Sequence, residues 1–520
     1  MTAHAPPAGA TALGFLGSGH QPPDALPAAD PARLPPVHKR YPSAPWVPLP
    51  SGDEPSVDAP LPRLSWLLRQ TAGLTRMRWM SGLMPLGLSG SGTPRDRRVL
   101  LSPGRTGAAS GSRYPVEVYV AHGASDGVPA GLAHYDPVHH VLERLRDGDG
   151  RGRLLGLLST PPEREPELVL LLTSVLWRNA AKYGVFGYRL QSLDVGVVAA
   201  QAVAAAEATG LMATIHLHYD DTALDEVLSL SPFAESVFAV VTLHRAEDRP
   251  APRAERNAPW YGPVPEAVPG PASISAVPEM AEAAALHSAI RAAAPGSRGW
   301  LPAWSPEAGA LPHALPTADL KLADGFAGRR TVYGYRPAPV PEHTLAALLA
   351  AAAAPLPTDT PDRADALALR LAGVVQRVHA VATGAHVYDP VGHALIPTRP
   401  AEAVRAMIGA AKSPMLADEC RTATATLAPC GDLRAGIERF GDRWYRTQNI
   451  AAGALAQRVA LAAAAVGLES HVHCDFDPDR AASALGLGPG PGSLQPLVVV
   501  TVGPSSPQHS DPQLPLRDRA

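Results

Sequence analysis

The chain repeats itself at long range, and no other feature constrains its fold as strongly. Tyr188-Arg189-x-Gln191 and Gly196 return 257 residues later as Tyr445-Arg446-x-Gln448 and Gly453. Gly210-Leu211 returns at the same offset as Gly467-Leu468. Tyr135-Asp136-Pro137-Val138-x-His140 reappears as Tyr388-Asp389-Pro390-Val391-x-His393, and the apolar run 237–243 has a counterpart in 497–502. Unrelated alanine-rich helices would not share one offset at several points, so two copies of one structural unit are expected.

The centre of the first copy is residues 168–210. An apolar run over 168–173 is short enough for a buried strand. A polar segment, 178–188, follows. A helix rich in Ala and Val is expected over 192–209, closed by Gly210. Lys182 and Tyr183 stand side by side in the polar segment. Burial and a neighbouring donor move such a pair towards neutral pKa values, which suits proton transfer. Taken alone, a Lys-Tyr dipeptide is more commonly a surface lysine beside a half-buried tyrosine. The second copy carries Arg439-Phe440 at the matching place. Phe has no proton to give and Arg stays charged, so the two copies differ where chemistry would occur.

With 520 residues the chain has room for two or three domains. The pattern divides it into a Pro/Ala-rich segment 1–60, a first half 61–245, a Pro/Ala-rich linker with a helix 246–320, and a second half 321–520. Residues 1–60 are expected to bury no core and to wrap the surface or stay mobile. An amphipathic helix is expected over 64–75, and a helix over 279–294. The formal net charge of −3 speaks against a broad nucleic-acid surface. Three scattered cysteines fit a reducing compartment. No apolar run reaches the ~18 residues of a membrane span. The N-terminus lacks the charged and apolar regions of a signal peptide, so a cytoplasmic location is expected. His134, His139 and His140 read as exposed hairpin histidines. His471-Val472-His473-Cys474 alternates on a strand with no third ligand in sequence, so no metal site is expected.

Small residues over 107–112, between Arg105-Thr106 and Tyr114-Pro115, would let backbone approach a planar ligand. This loop, with Glu117 and Tyr119 beyond it, and the pattern Trp177-Arg178, Lys182-Tyr183, Tyr188-Arg189, Asp194-x-Gly196, Gly210-Leu211 resemble the SagB/ThcOx/McbC family. Those are FMN-dependent dehydrogenases of the nitroreductase superfamily that oxidise thiazolines and oxazolines to azoles in ribosomal peptides. The family's Pro-Ser in the flavin loop is Ala108-Ala109 here, with Ser110 one step along. Gly328-Arg329-Arg330-Thr331-Val332-Tyr333 resembles the superfamily's phosphate motif, with Tyr333 at its third basic position. Leu514-Pro515-Leu516-Arg517-Asp518-Arg519 resembles its basic tail.

The resemblance implies an α+β, nitroreductase-like fold in which the duplication forms a fused pseudo-dimer, one chain sufficing. It implies Lys182 and Tyr183 as the catalytic pair. FMN would be held by Arg105, Ser110, Gly111, Ser112, Arg113, Tyr188, Arg189 and Gln191 of the first half, and by Arg329, Arg330, Thr331, Gln448, Arg517 and Arg519 of the second. One complete FMN site per chain is expected, the other being degenerate. The implied partners are an azoline-containing precursor peptide and the cyclodehydratase that makes its rings. Two other readings stay open: a generic NAD(P)H-dependent nitro or quinone reductase, and a flavin-free scaffold for a cyclodehydratase.

Overall fold

The structure, a computed structural model, describes residues 9–23, 35–52, 54–80, 100–125, 127–245, 260–268, 272–293, 301, 304–306, 309–360, 367–488, 493–506 and 513–516. Two antiparallel sheets dominate it. The first runs, edge to edge, Trp46–Pro48, Val141–Asp147, Gly131–Asp136, Val116–His122, Leu168–Val175, Glu235–Arg245, Leu211–His216. The second runs His313–Ala314, Ala394–Arg399, Gly384–Asp389, Leu369–Val375, Ala425–Gly431, Val499–Gly503, Glu469–His473. The order matches strand for strand, and so does the register. Tyr119 faces His134 as Ala372 faces Val387, and Val116 faces Ser174 as Leu369 faces Gly431. The repeated turn is reproduced in detail: Tyr135 Oη lies 2.9 Å from His140 Nδ1, and Tyr388 Oη 2.7 Å from His393 Nδ1.

Between the sheets cross two long helices, Gly187–Ala208 and Arg443–Ala465. Both are buried on nearly every side, which explains why alanine fills them and no polar stripe is visible. Their crossing rests on the repeated glycines. A Cβ on Gly196 would come within 1.9 Å of the Ile450 carbonyl, and one on Gly453 within 2.1 Å of the Leu193 carbonyl. Leu193 and Ile450 are themselves equivalent positions, so the contact is its own mirror under a pseudo-two-fold, as in an isologous dimer.

Chain segments are exchanged across this axis. Gln513–Pro515, from the C-terminal end, pairs with Leu74–Met80 of the first half, which in turn pairs with Leu100–Arg105. The N-terminal region contributes to the core after all. In the helix Ala10–Ser18, Ala12 and Phe15 are buried, and Phe15 meets Tyr188 and Tyr445 edge-on at centroid distances of 6.2 and 5.4 Å. Lys39 is buried against Glu235 at 2.5 Å. Sparse apolar residues cannot make a core of their own, but they can fill a cleft whose walls come from elsewhere.

Other expectations shift. The helix expected over 64–75 is Pro60–Ala72, and the polar segment is helical as Leu176–Tyr183 before the long helix begins. His134 is no exposed hairpin residue: it is fully buried, 2.8 Å from Glu143 and 3.3 Å from Glu117. It faces inward on its strand, and the carboxylates come from neighbouring strands. Among the described residues no helix is long and apolar enough to cross a membrane.

Candidate active site

The strand Leu100–Arg105 leads into a tight loop, with a 3-10 turn at Ser110–Ser112. Gly111, Ser112 and Tyr114 all take positive φ, at 56, 57 and 46°. For Ser and Tyr this conformation is strained and persists only where surroundings enforce it. Asp194 enforces it. Its Oδ1 accepts both the amide and the hydroxyl of Ser110 at 3.0 Å, and its Oδ2 accepts from Asn179 Nδ2 at 3.0 Å. One carboxylate thus ties the loop to the helix Leu176–Tyr183 and to the long helix. Burial raises the Asp194 pKa to about 6, against the opposing hydrogen bonds from Asn179 and Ser110. The far end of the loop is held by Arg178, which donates to the Tyr114 carbonyl at 2.8 Å and pairs with Glu117 at 2.5 Å.

Against this loop stand Lys182 and Tyr183. A Cβ on Gly111 would lie 2.3 Å from the Tyr183 hydroxyl and 2.6 Å from the Lys182 amine. The amine sits 5.0 Å from the centroid of the Tyr183 ring. Burial, and then the nearby Arg113 guanidinium, lower the Lys182 pKa. Burial, reinforced by the Asp194 carboxylate, raises that of Tyr183, away from the neutral range expected for the pair, because burial penalises the phenolate. Both effects favour the uncharged side chains.

The same loop closes a cavity whose other wall belongs to the second half. Gly104, Arg105, Gly107, Ala108, Ala109 and Ser112 face Arg329, Arg330 and Thr331, with Arg76 and Arg78 completing the ring. Arg329 Nε donates to the Thr106 carbonyl at 2.5 Å, Arg76 donates to the Arg329 carbonyl, and Arg330 pairs with Glu469. Burial, and then the neighbouring Arg76, lower the Arg329 pKa to about 9. Five arginines around one cavity suit a dianionic phosphate. Thr106 Oγ1 and Arg113 Nε are buried without a hydrogen-bond partner beside it. Gly107, whose Cβ would meet Val197 at 2.9 Å, lets the loop pack closely on the long helix, as Gly111 does on the Lys182–Tyr183 pair. The donor set therefore suits the phosphate of a flavin nucleotide.

The structure brings together Arg105, Ser112, Arg329, Arg330 and Thr331 in this cavity, with Ser110, Gly111, Arg113 and the Lys182–Tyr183 pair adjoining. It places Tyr188, Arg189, Gln191 and Gln448 elsewhere, in the core around the pseudo-two-fold. Tyr188 Oη lies 3.1 Å from His287, and Arg189 donates to the His20 carbonyl at 3.0 Å. Gln191 donates to the Leu176 carbonyl and Gln448 to that of Leu367. Arg517 and Arg519 lie outside the described residues. Sequence reading missed Arg76 and Arg78. Their signal was alternation on a strand, which puts both on one face. It also missed the role of Asp194. In the second half, Phe440 stands at the position of Tyr183 and packs against Trp444 with tilted rings 4.8 Å apart.

Residues 326–504 match the model of the nitroreductase family. The trifolitoxin-processing protein TfxB of Rhizobium leguminosarum is 29% identical over 146 residues, 27% of this chain and 39% of that protein. A Methanocaldococcus jannaschii protein bearing a nitroreductase name is 27% identical over 130 residues, 25% of this chain and 66% of that one. The chain thus spans less than two thirds of either relative. A crystal structure from Anabaena variabilis, also named as a nitroreductase, superposes with a TM-score of 0.76 at 22% identity, covering 96% of this chain and all of that one. The family match thus falls on the second half, and the chain as a whole folds as two nitroreductase-like units fused into one pseudo-dimer.

Proposed function

We propose that the chain is an FMN-dependent oxidoreductase that converts azoline rings, thiazolines above all, to azoles in a ribosomally made peptide. The observation that carries this reading is the meeting of Lys182 and Tyr183 with Gly111, on a loop whose cavity is completed by Arg329, Arg330 and Thr331 from the other half. A simple nitro or quinone reductase needs no such pair. The name of the Rhizobium relative, which places that protein in trifolitoxin processing, supports a peptide natural product as the setting.

Arg329, Arg330 and Thr331 with the 107–112 loop would hold FMN, which would supply a two-electron hydride acceptor for the ring β-carbon, with dioxygen as terminal oxidant. The chain's own residues handle the proton. Burial leaves the Tyr183 phenol protonated and favours a neutral Lys182 amine. Lys182 and Tyr183 then act together as base and activator at the ring α-carbon, the amine being the member whose proton burial loosens. The strained loop and Asp194 hold the ring site against both groups, so orientation supplies much of the rate. Aromatisation makes the overall step downhill. The partners are the azoline-bearing precursor peptide and the cyclodehydratase that forms its rings.

The test is mass spectrometry of an azoline peptide incubated aerobically with the FMN-loaded protein. The expected result is loss of two hydrogens per ring, abolished in Lys182→Ala and Tyr183→Phe while FMN content stays at about one per chain. A protein that takes up no FMN even when it is added back, or that leaves the azoline intact while oxidising NAD(P)H with a quinone, would overturn the proposal.

A further inference from the structure

The pair His471 and His473, one strand face with no visible third ligand in the sequence, acquires one in the fold. Glu419 of the helix Pro414–Thr422 reaches across to both. Its Oε1 lies 2.9 Å from His471 Nδ1 and its Oε2 2.7 Å from His473 Nε2. The candidate donor atoms of the three residues all lie within 4.8 Å of one another. We propose that Glu419, His471 and His473 form a binding site for a divalent transition-metal cation, zinc being the best match to two imidazoles and one carboxylate.

Three observations support the assignment. First, the surrounding bonds orient the ligands as metal sites do. His473 Nδ1 is 3.1 Å from Asp475 Oδ1, leaving Nε2 directed at Glu419, and Thr501 Oγ1 donates to Glu419 Oε2 at 2.9 Å. Second, the burial is graded. The Glu419 side chain is 0% exposed and that of His473 3%, while His471 at 13% forms the rim through which an ion can enter. Third, the cluster is not inherited from the duplication. At the 257-residue offset the first half has Pro162, Thr214 and His216, and His216 hydrogen-bonds Thr242 instead. The second half alone has three ligating groups here.

Admission of an ion requires a small expansion. Bonds of about 2.0–2.1 Å at tetrahedral angles put ligand atoms about 3.3 Å apart. The carboxylate–imidazole contacts of 2.7 and 2.9 Å must open by roughly half an ångström, within reach of side-chain rotation alone. Water would complete the coordination on the His471 side. The strand that carries the histidines also presents Glu469 to Arg330 and bridges Ser470 to Thr331. A bound ion would therefore brace, from behind, the strand against which the phosphate-side residues rest. The role is structural, and the assignment does not depend on the azoline reading.

The experiment uses the full-length FMN-loaded protein, stripped of metal with a chelator, and Co2+ as the spectroscopic probe. We expect one equivalent of Co2+ to give ligand-field bands and Zn2+ to compete it out and raise Tm. Affinity should fall by at least about tenfold in His471→Asn and by more in Glu419→Gln. Asp475→Asn, outside the ligand set, should weaken binding by about 10- to 100-fold. His139→Asn, in the separate His38–Asp136–His139 group, should bind as wild type. Because His471 is at the rim, its variant guards against a simple folding failure. Absence of Co2+ bands and of any Zn2+ effect on Tm in the stripped wild type would overturn the proposal. So would binding unchanged in His471→Asn and Glu419→Gln, or lost in His139→Asn.

Discussion

Gly111→Ala isolates the contact on which the active site depends. Two costs follow from the structure. At φ 56° an L-residue sits in the left-handed region, costing about 1–2 kcal/mol. The new Cβ would also stand 2.3 Å from the Tyr183 hydroxyl and 2.6 Å from the Lys182 amine, where ordinary contact begins at 3.4 Å. Both obstacles are the ends of side chains, so they yield by about 1 Å rather than unfold the loop. A displacement of ~1 Å at reacting groups costs on the order of 100-fold in rate. That corresponds to about 2.7 kcal/mol of barrier, more than the stability change itself. The expected result is a Tm lowered by only a few degrees, FMN content retained, and kcat/KM for an azoline peptide down by about two orders of magnitude. Wild-type kcat/KM in a folded, FMN-loaded Gly111→Ala protein would refute the placement of the loop against the pair.

Gly453→Ala puts a Cβ 2.1 Å from the Leu193 carbonyl, a backbone atom that cannot rotate away. The long helices must separate, at a cost of about 3 kcal/mol or more in denaturant unfolding. Adding Gly196→Ala should cost less than its single effect, because the helices have already parted. Asp194→Asn should change the pH dependence of stability. The folded-state pKa of about 6 lies above the exposed value of 3.8, so the wild type loses stability as pH rises from 4 through 6 and no more above that. The shift of two pKa units sets an upper bound of about 3 kcal/mol. The variant lacks this loss, so the stability difference between the proteins should move in its favour across that window. Parallel profiles would contradict the burial argument. Arg78→Ala and Arg330→Ala should each weaken FMN by about 10- to 100-fold in a fluorescence titration, the worth of a charge-assisted hydrogen bond. Unchanged affinity in both would exclude the cradle as the phosphate site.

The duplication, the sheet-and-helix unit and the asymmetry between the halves are legible in the order of the residues. Those features are local or periodic. Tyr-Asp-Pro turns, a glycine in an alanine-rich helix, and Lys182-Tyr183 against Arg439-Phe440 keep their meaning wherever the segment lies. Which residues converge is visible only once the chain is folded. Arg76 meets the Arg329 carbonyl across 253 residues of chain, and Phe15 reaches two tyrosines that are copies of each other. Glu419 supplies two strand histidines with the partner that their own sequence lacks. Tyr188, Arg189, Gln191 and Gln448 carry the same polar atoms that a cofactor would use, yet the fold spends them on carbonyls and His287 in the core. A polar side chain announces that it needs a partner. Which partner it finds is set by the crossing of two helices at Gly196 and Gly453, and no local pattern encodes the contacts made on either side of that crossing.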